Sequence, residues 1–262
     1  MMRITETVKQ LIIINVLVYI GSQIVGAPAY DILALHFPAN PDFKIWQVFT
    51  HMFMHASLQE SSGITHIAFN MIALWMFGSP LEHFWGAKKF IFFYISCGLG
   101  AALLHMGVDY YNYTHVLELL QANGVSQNLA QQVMNTGNIN LVLGKVNEAD
   151  LGAVSNHLSM LSGSYNGTVV GASGAIYGVM VAFAFMFPNI EMGFMFLPFR
   201  IPAKYFVGGI IAFDTYQAIK GQSILGDAGD GIAHFAHLGG ALTGFFMMLM
   251  WRNKKFKHNR WN

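Results

Sequence analysis

Charge is what this chain has least of. Only 10% of its 262 residues are Asp, Glu, Lys or Arg, and the formal net charge is +1. No basic stripe is available to neutralise phosphates, which excludes nucleic acid as a partner. Cysteine is almost missing: the single Cys97 excludes an internal disulfide and reads as a small core residue. No His-Glu-x-x-His motif occurs. His51-xxx-His55 has metal-compatible spacing but no evident third ligand, so the pair reads as structural. No metal and no cofactor are expected, and activity should be insensitive to chelators. What is abundant is apolar surface. Hydrophobic residues make up 54% of the chain, with 22 Phe and 16 Met, and the mean hydropathy is +0.44. That balance belongs to a membrane protein, with the lipid bilayer as its surroundings.

Apolar runs near the ~20 residues that a bilayer requires occur at 10–27, 64–81, 89–107, 168–188, 203–219 and 232–251. Six spans place both termini on one side. Arg3, Lys9, Lys88, Lys89, Arg200, Lys204, Arg252, Lys254, Lys255, Lys257 and Arg260 fall on that side, against Lys44, Lys145 and Lys220 opposite. The positive-inside rule makes the termini cytoplasmic, and the plasma (inner) membrane is the expected location. Arg3 and Lys9, then Leu11–Ile20, then Ala27-Pro28-Ala29 also fit a signal peptide. Pro28 within the small-residue site disfavours cleavage, so a retained first span is expected. The stretch 108–167 is too long for a structureless loop. Leu117, Leu119, Leu120 and Val125, then Leu129, Val133 and Met134, then Leu151, Val154, Leu158 and Leu161 give helical stripes. The expectation is one membrane domain over 1–262 carrying a small, largely helical outer-face subdomain over 108–167.

Polar groups inside such spans are expensive, and each is a functional candidate. Spans two, four and six run from outside to inside. They place His66 and Asn70, Ser173, and His237 at their outer ends. Ser173 and His237 each lie roughly five residues, or about 8 Å, down. Both stand among small residues, Gly171-Ala172-Ser173-Gly174 and His237-Leu238-Gly239-Gly240, that let helices approach closely. A serine hydroxyl needs a base to take its proton, and His237 offers one. His234, three residues earlier, competes for that role. No carboxylate lies near His237 in sequence at this depth: Asp214 is in span five, and Asp227 and Asp230 precede span six. Tyr177, one turn below Ser173, is placed to hold the imidazole by stacking, which makes the pair a dyad and not a triad. His66 and Asn70 share a face and can donate to an oxyanion together with the Ser173 backbone N–H.

Several stretches together resemble the rhomboid family. Trp46-Gln47-Val48-Phe49-Thr50-His51-Met52-Phe53-Met54-His55 is similar to its first outer loop, His66-Ile67-Ala68-Phe69-Asn70-Met71 to its second span, and Phe77-Gly78-Ser79-Pro80-Leu81-Glu82 to the turn after it. The Gly-Ala-Ser-Gly and His237-Leu238-Gly239-Gly240 runs complete the pattern. The resemblance implies a six-transmembrane-helix bundle, all-α, that cuts transmembrane segments of membrane proteins near the outer face through an acyl-enzyme. It makes Ser173 the nucleophile, His237 rather than His234 the base, His66 and Asn70 the oxyanion hole, and Tyr177 the stacking partner. It also implies a cap over Gly221–Gly231 and a lateral gate at span five with Phe206 and Phe213. The chain departs from the family pattern in three places. Gln47 replaces the usual Arg after Trp46, Gln59-Glu60-Ser61-Ser62-Gly63 is extra, and the 108–167 stretch is unusually long.

Two other readings compete with a serine endopeptidase. A non-proteolytic rhomboid-like protein binding membrane clients typically lacks the serine or the histidine, and this chain keeps both. A carrier or channel should show paired interrupted half-repeats, and none is visible.

Overall fold

The computed structural model describes residues 3–60, 63–142, 145–146, 150–193, 200–220 and 233–251. Span one is α1 (Glu6–Val25), followed by the short α2 (Ala27–Leu33), with Pro28 in its first turn where a missing N–H costs nothing. The first loop holds β1 (Leu35–His36) and α3 (Gln47–Thr50) with a tight 3-10 turn at His51–Phe53. Span two is α4 (Gly63–Ala73), a wider π-type turn at Leu74–Gly78, and α5 (Ser79–Trp85). The apolar pattern carries no sign of that turn. Gly86, at a φ of +76°, reverses the chain directly into span three, α6 (Ala87–Ala122).

The sequence pattern stops span three at 107, but α6 continues to Ala122. It is 36 residues long, about 54 Å at 1.5 Å per residue, far more than a bilayer core of ~30 Å needs. Its polar outer part packs with α7 (Gln127–Thr136) and α8 (Leu151–Asn166) around a second apolar cluster that includes Leu117, Leu120, Leu129, Val133, Val154, Leu158 and Leu161. These are residues of the sequence stripes, so the insertion is helical as expected. Phe37 of the first loop enters the same cluster, and Asn40 Nδ2 donates to the Tyr165 carbonyl at 2.8 Å. The insertion is thereby fastened to the loop beside the site.

Span four begins later than expected. Residues 168–169 form β2, antiparallel to β1, and α9 runs only from Ser173 to Met186. Its 14 residues cover about 21 Å, so the helix does not reach across the ~30 Å hydrocarbon layer. Ser173 is its first residue, and a helix this short leaves at least one of its ends inside that layer. The helix is buried nearly all round, which is why its sequence lacks a polar face. Two short strands, β3 (Glu191–Gly193) and β4 (Arg200–Pro202), precede α10 (Ala203–Lys220), and α11 (His234–Met250) completes the bundle.

Close packing joins α6, α9 and α11. A Cβ at Gly240 would strike the Gly174 carbonyl, one at Gly178 would lie 2.8 Å from the Gly240 carbonyl oxygen, and one at Gly244 would lie 2.7 Å from the Gly178 Cα. These glycines let backbone meet backbone, as small-xxx-small seams do in membranes. At the opposite end, Glu82 caps α1. Its carboxylate accepts from the backbone N–H of Thr7 at 3.0 Å and of Val8 at 2.9 Å, and from the Thr5 hydroxyl. Those N–H groups have no partner inside the helix.

Candidate active site

The glycine seam sets the distance between Ser173 and His237. Ser173 directly precedes Gly174, and His237 stands one turn before Gly240, so backbone contact at the two glycines brings the side chains together. Ser173 Oγ lies 2.8 Å from His237 Nε2. The other ring nitrogen, Nδ1, lies 2.8 Å from Asp214 Oδ2. A carboxylate only accepts, so Nδ1 carries the proton and Nε2 presents its lone pair to the serine hydroxyl. That is the tautomer a general base requires. The Tyr177 ring lies on the imidazole face, with centroids 4.2 Å apart and planes 13° from parallel.

Asp214 overturns the expectation that no carboxylate reaches His237. It is buried in α10 and bonds with both histidines, Oδ2 to His237 Nδ1 and Oδ1 to His234 Nδ1. His234 is thus no rival base at the serine, because its Nδ1 faces the far oxygen of the same carboxylate. A signal for Asp214 was available. Span five runs from inside to outside, and position 214 lies six residues before its end at Lys220, the depth of His237 counted from the other direction. Among the described residues, Asp214, His234 and His237 also form the one group spaced to hold a metal ion. His51 and His55 do not belong to it.

On the other side of Ser173 stands His66. Its Nδ1 accepts from the Ala56 backbone N–H at 3.2 Å, so in the neutral ring Nε2 bears the hydrogen. That Nε2–H faces Gly171, whose φ is +128°: a Cβ there would lie 3.0 Å from His66 Nε2 and 3.4 Å from Ser173 Oγ. The missing side chain leaves a gap of about one atom between a donor and the nucleophile. Asn70 is less directly placed. It is buried one turn along α4, and its Nδ2 donates to the His66 carbonyl at 2.8 Å.

The first loop supports this arrangement from outside. Gln47 stands where the family usually has Arg, and it anchors the loop together with Trp46 and Thr50, which donate to the carbonyls of Ile32 and Leu33. Fully buried, it donates through Nε2 to the carbonyls of Asp31 and Asp42, each at 3.0 Å, and accepts through Oε1 from the Lys44 N–H at 3.0 Å and the His36 N–H at 3.3 Å. His51 Nδ1 donates to the Gln47 carbonyl at 2.9 Å, and the His51 carbonyl accepts from the Gly171 N–H at 2.9 Å. Gln47 is therefore linked to the glycine beside the nucleophile.

Burial pushes His51 down to about 4 and His55 down to about 3, from an ordinary 6.5. Both stay neutral in the folded protein while the unfolded chain takes up protons below about 6.5. Stability is therefore complete above that value. It falls on acidification towards pH 4, by roughly 1.4 kcal/mol per pH unit for each histidine. The expected result is a Tm that is flat around neutrality and drops towards about pH 5. An unchanged Tm over that interval contradicts neutral burial of the pair.

Of the implied gate, Phe206 stacks on Phe77 of span two with centroids 6.5 Å apart, and Phe213 is exposed. The implied cap at Gly221–Gly231 lies outside the described residues, as do Ser61, Ser62 and the basic residues beyond Trp251.

Known proteins resemble this chain along most of its length. The rhomboid domain family matches residues 42–130 and 128–254, two segments that meet inside the stretch 108–167. The chain is 28% identical over 228 residues to the human presenilin-associated rhomboid-like protein, mitochondrial, covering 84% of this chain and 43% of that protein. The mouse counterpart is 26% identical over 232 residues, covering 84% and 44%. The chain thus spans less than half the length of these relatives. The rhomboid protease GlpG of Salmonella newport (strain SL254) is 38% identical over 77 residues, 29% of this chain and 26% of that protein. The mitochondrial relatives overturn the expectation of a plasma membrane with cytoplasmic termini. Lys/Arg asymmetry orders the two sides of a bilayer and says nothing of which bilayer it is. With the family match running from the first loop to the end of α11 and enclosing Ser173, His237, His66 and Tyr177, this chain belongs to the rhomboid family.

Proposed function

We propose that this protein is an intramembrane serine endopeptidase that cleaves transmembrane segments of membrane proteins near their outer ends. One observation carries the reading: Ser173 Oγ bonds with His237 Nε2 at 2.8 Å, at the head of a buried helix too short to cross the bilayer. In this mechanism His237 removes the serine proton as Oγ attacks the scissile carbonyl. The imidazolium then protonates the leaving amine, and an ester on Ser173 remains. Water, deprotonated by the same imidazole, releases the acid. The oxyanion would be met by the His66 Nε2–H, by the second Asn70 amide hydrogen, and by the Ser173 backbone N–H, which has no partner inside α9. Tyr177 keeps the ring plane fixed through the cycle.

Residues 1–262 act in this reading as one membrane unit, with 108–167 as its outer-face subdomain. A mitochondrial membrane is the location supported by the names of the relatives matching most of the chain. A client-binding protein without activity has no use for a base aligned on a serine.

The test is cleavage of a single-span reporter by the full chain in liposomes, alongside labelling of Ser173 with a fluorophosphonate. Ser173→Ala and His237→Ala should each reduce kcat by roughly 100,000-fold or more, as removal of a nucleophile or base does elsewhere. Retained cleavage in Ser173→Ala, or a wild type that neither cleaves nor labels, rejects the protease reading.

A further inference from the structure

The Asp214 carboxylate is shared. Each of its oxygens faces one imidazole Nδ1, Oδ1 that of His234 and Oδ2 that of His237. Asp214 is buried, and the two histidine side chains are 14% and 13% exposed. A buried carboxylate needs such donors, since an unpaired charge there is prohibitively costly. Two Nδ1–H groups supply them, and in doing so both rings are held in the Nδ1–H tautomer.

We propose that Asp214 is a positioning residue of the catalytic machinery, and that His234 is the clamp that keeps Asp214 facing His237. The proposal rests on the serine-protease reading above and extends it from a pair of residues to a relay of four. Asp214 holds the His237 proton on Nδ1, which leaves Nε2 free to accept from Ser173. When His237 becomes positively charged during acyl transfer, the adjacent carboxylate stabilises that charge without itself taking the proton. Tyr177 fixes the plane of the ring, and Asp214 fixes its rotation within that plane. The two contacts are not redundant, because stacking cannot tell Nδ1 from Nε2. His234 does for Asp214 what Asp214 does for His237: by engaging Oδ1 it prevents the carboxylate from turning away.

Replacing Asp214 with Asn separates this role from simple packing. The amide is nearly isosteric but has one acceptor where the carboxylate has two. Two Nδ1–H groups then compete for one oxygen, and the ring that meets the NH2 must shift its proton to Nε2. If that ring is His237, it can no longer act as a base. An equivalent carboxylate-to-amide change in a soluble serine protease costs about 10,000-fold in kcat. Here Asp214→Asn should lower kcat by about 100- to 1,000-fold with KM within about threefold, because substrate binding is untouched. Removing the competitor should restore part of the loss. The double variant Asp214→Asn/His234→Ala lets the single oxygen serve His237 and should recover about tenfold over Asp214→Asn, although His234→Ala alone should cost about tenfold. Sign reversal of that kind does not arise from a merely structural contact.

The experiment measures kcat and KM for the wild type, the two single variants and the double variant in liposomes, with Ser173→Ala as the zero. In parallel, nitrogen-15 histidine NMR of the detergent-solubilised protein, with His237→Ala for assignment, follows the downfield proton on His237 Nδ1. That resonance is expected in the wild type and in Ser173→Ala, and is lost in Asp214→Asn. The NMR arm decides the proposal even if no reporter is cleaved, so its failure and that of the protease reading are told apart. Three results overturn it: a kcat for Asp214→Asn within about threefold of wild type, no His237 Nδ1–H resonance in the wild type, or loss of activity and resonance on chelation. The last would make the three residues a metal site.

Discussion

Replacing Gly171 by Ala is expected to lower kcat by about 100- to 1,000-fold, the usual cost of losing one oxyanion donor. The added Cβ would lie 3.0 Å from His66 Nε2 and 3.4 Å from Ser173 Oγ. It thus fills the gap into which the developing oxyanion must move, and it pushes against the group proposed to receive it. Backbone strain is a separate consequence, because a φ of +128° suits glycine and disfavours any residue with a Cβ. A second glycine separates the two effects. Gly137 closes α7 at a φ of +65°, with nothing within 4 Å of where its Cβ would be. Gly137→Ala pays the cost of a left-handed conformation, about 1 kcal/mol, far from Ser173, and should cleave at the wild-type rate. Steady-state cleavage by both variants, with Tm as the control for folding, makes the comparison. If Gly171→Ala keeps its kcat while its Tm falls like that of Gly137→Ala, the gap has no part in catalysis.

Much of this site is legible in the chain, for a reason that membranes impose. Inside a bilayer, depth can be counted along each span, and polar residues are few enough for coincidences of depth to stand out. That count singles out Ser173, His237 and His66, and the helical turn after Ser173 singles out Tyr177. Asp214 is harder to read because it lies in another helix, far from His237 in sequence, although its depth from the end of α10 carries the signal. Gln47 is hard to read for a different reason. Its role consists of bonds to backbone atoms of residues 31–44, and backbone groups leave no trace in a side-chain pattern. The boundaries of α6 and α9 failed in opposite directions. The seam that needs apolar residues stops near 107, while α6 is carried on by packing against α7 and α8. The apolar run before Ser173 is long enough for helix, yet Thr168–Val169 pairs with β1 instead. In both cases tertiary partners decided what local pattern left open.

Gly240→Ala should be the most damaging change of a single methyl group outside the reacting residues. At this position the Cβ would meet the Gly174 carbonyl and the Gly174 Cα, both backbone, and neither can yield as a side chain would. The only relief is for α11 to move away from α9. Overpacking of this kind costs about 1–3 kcal/mol, but the larger effect is geometric. His237 is one turn from Gly240, and Ser173 adjoins Gly174, so any separation of the helices at the glycines lengthens the 2.8 Å bond between Oγ and Nε2. A displacement of ~1 Å in such a pair is worth about 100-fold in rate. The expected result is therefore a Tm lowered by several degrees together with a kcat lowered at least 100-fold. Gly107→Ala provides the reference. It lies in the middle of α6 with nothing within 4 Å of its Cβ position, and relief of glycine's entropy cost should raise stability by about 0.5–1 kcal/mol without altering cleavage. A Gly240→Ala protein with wild-type Tm and rate would mean that α9 and α11 do not meet backbone to backbone. The registration of nucleophile and base would then have to come from Tyr177 and Asp214 instead of from the glycine seam.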